Sequence, residues 1–311
     1  MQPSFSHLPV LRQQVADYLA VRAGGIYIDA TFGAGGMAAD IAAAEPKKLL
    51  ALDRDKSVRP QALMLEQRYP LFAFINAPFG QMQQVCAAYV GQVDGIIFDL
   101  GVSSMQLDNA ARGFSFNQTA PLDMRMNQAD DIATAATIIN QWSEQQLADI
   151  FYRFGEEKKS RLLARRIVAA RRLKPITTTT ELADLVSTTL GQREKIHPAT
   201  RLFQALRIAV NNELGEIEQG LAAAANMLRP GGRLVVISFH SLEDRLVKNF
   251  FKERSRPTPA LSRHLPPAHM DGAAPAPLFR LLTAKPVVAS QEEMTMNPRS
   301  RSAKLRAVAL I

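Results

Sequence analysis

Ile26-Tyr27-Ile28-Asp29-Ala30-Thr31-Phe32-Gly33-Ala34-Gly35-Gly36-Met37 is a short apolar alternation that runs into an acidic residue and then into a glycine turn. β-Branched and aromatic residues favour a strand, glycines allow positive φ and close approach to the backbone, and the following Met37-Ala38-Ala39-Asp40-Ile41-Ala42 starts a helix. The stretch predicts a strand, a cofactor loop and a helix. Which cofactor it holds is the first question.

Gly33-x-Gly35-x-x-Ala38, with Asp53 twenty residues after Gly33, has the spacing of a dinucleotide fingerprint, so a nicotinamide-dependent oxidoreductase is one reading. Asp29 argues against it. Four residues before Gly33 and at the end of the strand, it would face a pyrophosphate unfavourably but would suit a cation. The loop from Asp29 to Gly35 is also longer than the dinucleotide turn. S-adenosylmethionine carries an ammonium and a sulfonium, and its ribose diol suits an acid such as Asp53 at the tip of the next strand. These residues favour a methyl donor over a dinucleotide, the plain alternative being a glycine-rich turn without a ligand.

Working outward, Val10, Leu11, Val15, Leu19 and Ala23 predict an amphipathic helix before the loop's strand, with His7-x-Pro9-Val10-Leu11 at its entry. Lys48 to Asp53, Leu71 to Ile75 and Val93 to Gly101 predict three further strands, separated by helical patterns over 57 to 69 and 80 to 90. Strands alternating with helices indicate a parallel, doubly wound sheet whose ligands sit beyond the carboxyl ends of the strands, where Asp29, Asp53, Phe79 and Asp99 fall. The rhythm then breaks. Residues 108 to 212 offer no strand but helices over 143 to 154, 156 to 173, 180 to 190 and 199 to 211, the first opened by a Ser143-x-x-Gln146 capping box. Sheet rhythm returns with a helix from Glu213 to Leu228, a turn at Arg229-Pro230-Gly231-Gly232, and a fifth strand from Arg233 to Phe239. Residues 256 to 278, with Pro257, Pro259, Pro266, Pro267, Pro275 and Pro277, read as an irregular loop, and Phe279 to Thr283 with Lys304 to Ile311 as a closing strand pair. The expected organisation is a discontinuous methyltransferase domain of residues 1–107 and 213–311, and an inserted helical substrate-recognition domain of residues 108–212, placed as a clamp above the cofactor edge.

A formal charge of +8 and a pI near 9.8 suggest a polyanionic partner, and residues 158 to 174 concentrate eight Lys and Arg. On a helix such a run is ordinarily a solvated face; should the polyanionic partner be RNA, it is a candidate for tracking phosphates. Cys86 is the only cysteine, which removes disulfides and cysteine-based zinc sites, and no His pair has metal-ligand spacing, so no metal is expected. No apolar run approaches the roughly 18 residues a membrane span needs, so a soluble cytoplasmic protein without a membrane partner is expected.

Several blocks are long and unusual: Asp29-x-Thr31-Phe32-Gly33-x-Gly35-Gly36, Asp53-Arg54-Asp55, Asp99-Leu100-Gly101-Val102-Ser103-Ser104, Gln106-Leu107-Asp108, Arg112-Gly113-Phe114-Ser115-Phe116, Pro121 to Met126, Gly155-Glu156-Glu157, Phe203 to Ile208, Ser238 to Arg245 and Asn297 to Arg306. In this order, over nearly the whole chain, they resemble the bacterial ribosomal RNA small subunit methyltransferase H (MraW) family. The resemblance implies a class I, Rossmann-like methyltransferase sheet with an inserted helical domain. It implies transfer of a methyl group from S-adenosylmethionine to the exocyclic N4 of a cytidine in the decoding centre of 16S rRNA, within the small ribosomal subunit. It also implies cofactor contacts by Gly35, Gly36, Met37, Asp53, Phe79, Asp99 and Gln106. The chain departs from the family's usual residues at Ala34, Met37, Met105, Gln14 and Asn127, where the family has Arg, His, Pro, Glu and Asp. Loss of the histidine removes a side-chain interaction that a backbone-gripping loop survives, and Met105 frees φ beside Ser104 and Gln106.

Cytosine N4 is a poor nucleophile because its lone pair is delocalised into the ring, so an acceptor on the amino hydrogens helps. Asp99 is the candidate, with Ser103 and Ser104 as nearby hydrogen-bonding groups and Phe114 or Phe116 either stacking on the base or filling the core. Methylation at pyrimidine C5 needs a cysteine nucleophile, and Cys86 reads as a small core residue. His240 has three readings: proton acceptor, RNA contact or turn-forming residue. A non-catalytic RNA-binding assembly factor is the competing class.

Overall fold

The computed structural model describes residues 9–191, 197–256 and 276–311, so His7 and the prolines from Pro257 through Pro275 lie outside the described residues. The chain divides into two compact units, one of Met1–Asp53, Val58–Gly101 and Glu216–Ile311, the other of Arg54–Ser57 and Val102–Gly215.

The first unit is built on strands β1 (Ile26–Asp29), β2 (Lys48–Asp53), β3 (Phe72–Asn76), β4 (Val93–Asp99), β5 (Leu228–Ser238), β6 (Phe279–Leu281) and β7 (Lys304–Leu310), in the order β3-β2-β1-β4-β5-β7-β6. β1 to β5 pair in parallel, and β7 runs antiparallel to both β5 and β6. Parallel neighbours need crossover segments. Leu49, Leu50, Ala51 and Leu52 are all buried, the continuous apolar run of a strand covered on both faces.

In chain order the helices of this unit begin with α1 (Arg12–Leu19), α2 (Gly36–Ala43), α3 (Arg59–Arg68) and α4 (Met82–Val85). The second unit holds α5 (Ser104–Asp108), α6 (Ala135–Gln141), α7 (Glu144–Arg153), α8 (Ser160–Leu173), α9 (Thr179–Leu190) and α10 (Ala199–Asn211). α11 (Glu213–Met227) leads back to the sheet, followed by α12 (Ser241–Arg254) and α13 (Gln291–Met296). No described helix is long and apolar enough to cross a membrane.

Two elements differ from expectation. The pattern over 80 to 90 resolves into two 3₁₀ turns flanking α4, because only Met82 and Cys86 are buried there and so thin an apolar face does not sustain a longer helix. The turn at Arg229–Gly232 lies inside β5: Leu228 pairs with Val93 and Arg233 with Gly95, so the intervening residues form a bulge in one strand.

The second unit is helical apart from an isolated bridge between Pro121 and Thr178. Its helix starts are capped by sequence-readable devices: Ser103 with Gln106, Ser143 with Gln146, and Thr178 with Glu181 form reciprocal capping boxes. Its core gathers Leu122, Met124, Ile139, Phe151, Leu182 and Leu206, each essentially inaccessible.

Candidate functional site

The glycine loop is fixed by bonds to its neighbours. Ala30 N–H donates to Ile97 O (2.9 Å) and Phe32 N–H to Leu52 O (2.8 Å), which tie the loop to β4 and β2. Gly33 N–H donates to Asp53 Oδ2 at 2.8 Å. Gly35 has φ 85°, and a Cβ there would stand 2.8 Å from the Phe32 ring; one on Gly36 would stand 2.8 Å from Pro9 Cγ. α2 starts at Gly36 with no side-chain cap, and its first intrahelical bond is from Ala39 N–H to Gly35 O. The N–H groups of Gly36, Met37 and Ala38 are therefore the donors of an uncapped helix start, suited to an anionic group. The Met37 side chain is buried in the core, so what this residue offers a ligand is backbone.

Strand register decides where the acids go. Asp29 lies opposite Ile97 and Ala51, and Asp99 and Asp53 stand two residues beyond those partners on β4 and β2. Cross-strand neighbours share a face and side chains alternate, so Asp29, Asp53 and Asp99 are directed to the same face at the carboxyl end of the sheet. Asp29 is 1% exposed; its Oδ1 accepts from Thr31 N–H at 3.1 Å, and its buried Oδ2 has no hydrogen-bond partner among the described residues. Asp99 Oδ1 is likewise buried and without a partner among the described residues, while Asp99 N–H donates to Thr31 Oγ1 at 2.6 Å. Burial pushes the Asp29 carboxyl up to about 7, with the charge of Asp53 adding to it. Burial also pushes Asp99 to about 7, reinforced by Asp29 and Glu243. Three converging acids with two unsatisfied buried oxygens fit a cationic ligand and would repel a pyrophosphate. Phe79, just past β3, is half-buried and stands edge-on to Phe98 with centroids 5.3 Å apart. Thr31, which bonds to both carboxylate-bearing residues, carried no role in the sequence reading. Its position in the block between Asp29 and Gly33 was the available signal.

His240 turns out to be a helix cap. Its Nδ1 accepts from Glu243 N–H at 3.4 Å, and Glu243 Oε2 accepts from the N–H groups of Phe239 (2.7 Å) and His240 (3.3 Å), a capping box for α12. Cys86 is 2% exposed and burial raises its thiol to about 11, so it holds no thiolate.

In the second unit, Ser103 caps α5: its Oγ accepts from Gln106 N–H (3.3 Å), and its N–H donates to Gln106 Oε1 (3.0 Å). Ser104 is the first residue of α5 and half-buried. Gln106 is 5% exposed, and its Nε2 donates to Asp55 Oδ2 at 2.9 Å. Arg112 Nη1 reaches the same oxygen at 2.9 Å while its Nη2 donates to Met126 O at 2.6 Å. This buried Asp55, Gln106 and Arg112 group was visible in the sequence only as pieces of separate blocks. Met105, second in α5, sits in a turn already held by the capping box. Phe114 is in the helical core, while Phe116 is half-buried against it, with ring centroids 4.7 Å from His197 and 4.9 Å from Phe203. On α8 and the turn before it, Lys158, Lys159, Arg161, Arg165, Arg166 and Arg172 are exposed and form no ion pair among the described residues. Arg171 and Lys174 differ: Arg171 donates to Ile139 O and Trp142 O, and Lys174 pairs with Glu181 at 2.7 Å.

The strand order with β7 reversed, the glycine loop after β1 and the acids ending β1, β2 and β4 define a class I, Rossmann-like methyltransferase. More particularly, the chain belongs to the MraW methylase family, whose model matches residues 4–311. The cofactor of this family is S-adenosylmethionine. Among its relatives, the ribosomal RNA small subunit methyltransferase H of Bradyrhizobium diazoefficiens is 53% identical over 307 residues, 98% of this chain and 91% of that one. Its namesake in Afipia carboxidovorans is 51% identical over 304 residues, 97% of this chain and 89% of that one. That of Maricaulis maris is also 51% identical over 304 residues, 97% and 90% of the two chains.

Proposed function

We propose that this chain methylates small-subunit ribosomal RNA, at the exocyclic N4 of a cytidine in the 16S decoding centre. The observation that carries the reading is the convergence of Asp29, Asp53 and Asp99 on one face at the strand ends, with two buried carboxylate oxygens lacking partners among the described residues. The RNA substrate is supported by the names of the relatives, and the N4 position by the resemblance to the methyltransferase H family over nearly the whole chain.

S-adenosylmethionine supplies the electrophilic methyl group when bound. The helix-start N–H groups of Gly36 and Met37 would hold its carboxylate, with Gly35, its own N–H taken by Phe32 O, leaving room for close approach; Asp29 and Asp99 would hold its cationic end, Asp53 its ribose diol, and Phe79 its adenine. Gln106, with its amide taken up by Ser103 and Asp55, contributes by fixing the start of α5. Asp99, held ionised by the cationic donor, accepts a hydrogen bond from the cytosine amino group at Oδ1 and receives its proton. The hydroxyls of Ser103 and Ser104 orient the base. The exposed cations of α8 hold the RNA backbone.

The test is methylation of 30S particles that lack the modification, with the position read by mass spectrometry. The wild-type chain adds one methyl to a cytidine N4, and Asp99→Ala slows transfer by about 10²–10⁴, the usual worth of a general base. Binding without methylation would instead make the protein an assembly factor. Full transfer by a folded Asp99→Ala variant would remove Asp99 from the mechanism.

A further inference from the structure

Away from the strand-end carboxylates, the methyltransferase unit carries a concave site beside α12, β6 and β7. A cavity of about 230 Å³ is lined by Lys248, Lys252, Arg256 and Arg306, with Phe251 and Leu281 as apolar wall, and none of the described residues lining it is acidic. Lys248 and Lys252, four residues apart, stack one turn above the other on α12, and Arg256 follows two residues after the helix ends. All three are exposed and make no ion pair among the described residues. Arg306 is 9% exposed and donates to Asp244 Oδ1 at 2.7 Å, but Asp244 also accepts from Lys304 at 3.2 Å, so that one carboxylate already answers two cations. The hydroxyl oxygen of Ser255, which also lines the cavity, is buried and has no hydrogen-bond partner among the described residues.

Cations near a helix C-terminus are commonly explained by the macrodipole. That accounts for Lys252 and Arg256, but not for Lys248, two turns earlier than Arg256, nor for Arg306 on a strand. A group of like charges that repel one another, facing a further arginine across a cavity with a hydroxyl donor and an apolar wall, is suited to a phosphate with its sugar attached. Lys252 is about 17 Å along the helix axis from Ser241, where α12 leaves the carboxyl end of β5, so this site is separate from the carboxylates of the transfer site.

We propose that this cavity seats a phosphodiester stretch of the substrate RNA, giving the methyltransferase unit its own grip on the strand in addition to α8. The inference rests on the RNA substrate argued above. It is tested on the full chain with a short fluorescein-labelled single-stranded RNA, titrated over a range of salt concentrations, and in parallel with AMP as a free nucleotide. Lys248→Gln/Lys252→Gln flattens the slope of log affinity against log salt by about 0.7 for each phosphate no longer neutralised, with unchanged S-adenosylmethionine affinity. The charge-matched Lys47→Gln/Arg68→Gln keeps the wild-type slope. An unchanged slope in the α12 variant, or an equal fall in the charge-matched control, overturns the site while leaving the methylation reading intact. AMP binding abolished in the α12 variant, with the RNA slope retained, assigns the cavity to free nucleotides instead. A wild-type chain that binds no RNA overturns this inference and the proposed substrate together.

Discussion

The backbone N–H of Asp99 donates to the hydroxyl oxygen of Thr31 at 2.6 Å, while the N–H of Thr31 donates to Asp29 Oδ1 at 3.1 Å. One residue of the glycine loop thus sets the ends of two neighbouring strands, and with them the two carboxyls to which the proposed function gives its chemistry.

Thr31→Val keeps the shape of the side chain and removes the acceptor, leaving the Asp99 N–H without its partner. The expected cost is about 1–3 kcal/mol of stability, and methyl transfer falls more than S-adenosylmethionine affinity because Asp99 is what moves. Thr31→Ser restores the acceptor and most of the rate. Urea unfolding and single-turnover transfer on the three proteins check this, and equal behaviour of the valine and serine variants would refute it.

The raised carboxyls make the fold sensitive to pH in a definite direction. Asp29 has an ordinary value of 3.8 and stands at about 7 in the folded chain. Between those values the folded state binds more protons than the unfolded one, so this contribution lowers stability as pH rises from about 4 to about 7 and is constant above. Asp29→Asn is expected to flatten that slope and to stabilise the chain at neutral pH by on the order of a few kcal/mol. Binding the cationic methyl donor favours the ionised carboxyls and releases a proton, so affinity rises between about pH 6 and 8 in the wild type and less in Asp29→Asn. Calorimetry in buffers of different ionisation enthalpy reads the proton directly; no buffer dependence near pH 7 would be contrary to this account.

The buried pair of Arg112 and Asp55 holds the second unit together. Burial pushes Asp55 up, but hydrogen bonds from Ser57, Gln106 and Arg112 outweigh it and hold the carboxyl below its ordinary value. Its contribution is therefore present above about pH 4 and lost as pH falls further. Asp55→Asn leaves the Arg112 charge uncompensated and costs about 3–5 kcal/mol. Trp142, the only tryptophan, packs against the core of this unit, so its fluorescence during urea unfolding reports the loss.

Cys86 separates amine methylation from ring methylation. With its thiol buried and raised to about 11, it is no nucleophile, and Cys86→Ala is expected to retain the wild-type rate of transfer while losing about 1 kcal/mol or less of stability. A variant that binds both substrates but transfers no methyl would return the cysteine route to consideration.

Much of the fold was legible in local pattern. The alternating strands and helices up to Asp99, apart from the broken helix over 80 to 90, the capping box at Ser143, and the closing pair of β6 and β7 stand where periodicity put them. The bulge in β5 was not legible, because Pro230-Gly231-Gly232 has the composition of a turn whether it ends a strand or buckles one, and only pairing to β4 on both sides distinguishes the two. His240 shows the same limit: a histidine after a strand is compatible with catalysis, and its hydrogen bond to Glu243 N–H makes it a cap.

By itself the sequence determined which residues are strand, loop and helix around the glycine turn, and that acids end β1, β2 and β4, because backbone preference and side-chain alternation are properties of neighbours along the chain. The tertiary structure alone decided that Asp29, Asp53 and Asp99 share a face, that Thr31 joins two of them, and that Gln106 and Arg112 meet on Asp55. Those relations depend on strand register and on contacts between residues far apart in sequence, and burial of charge, from which the raised carboxyls follow, exists only once the chain has folded around it.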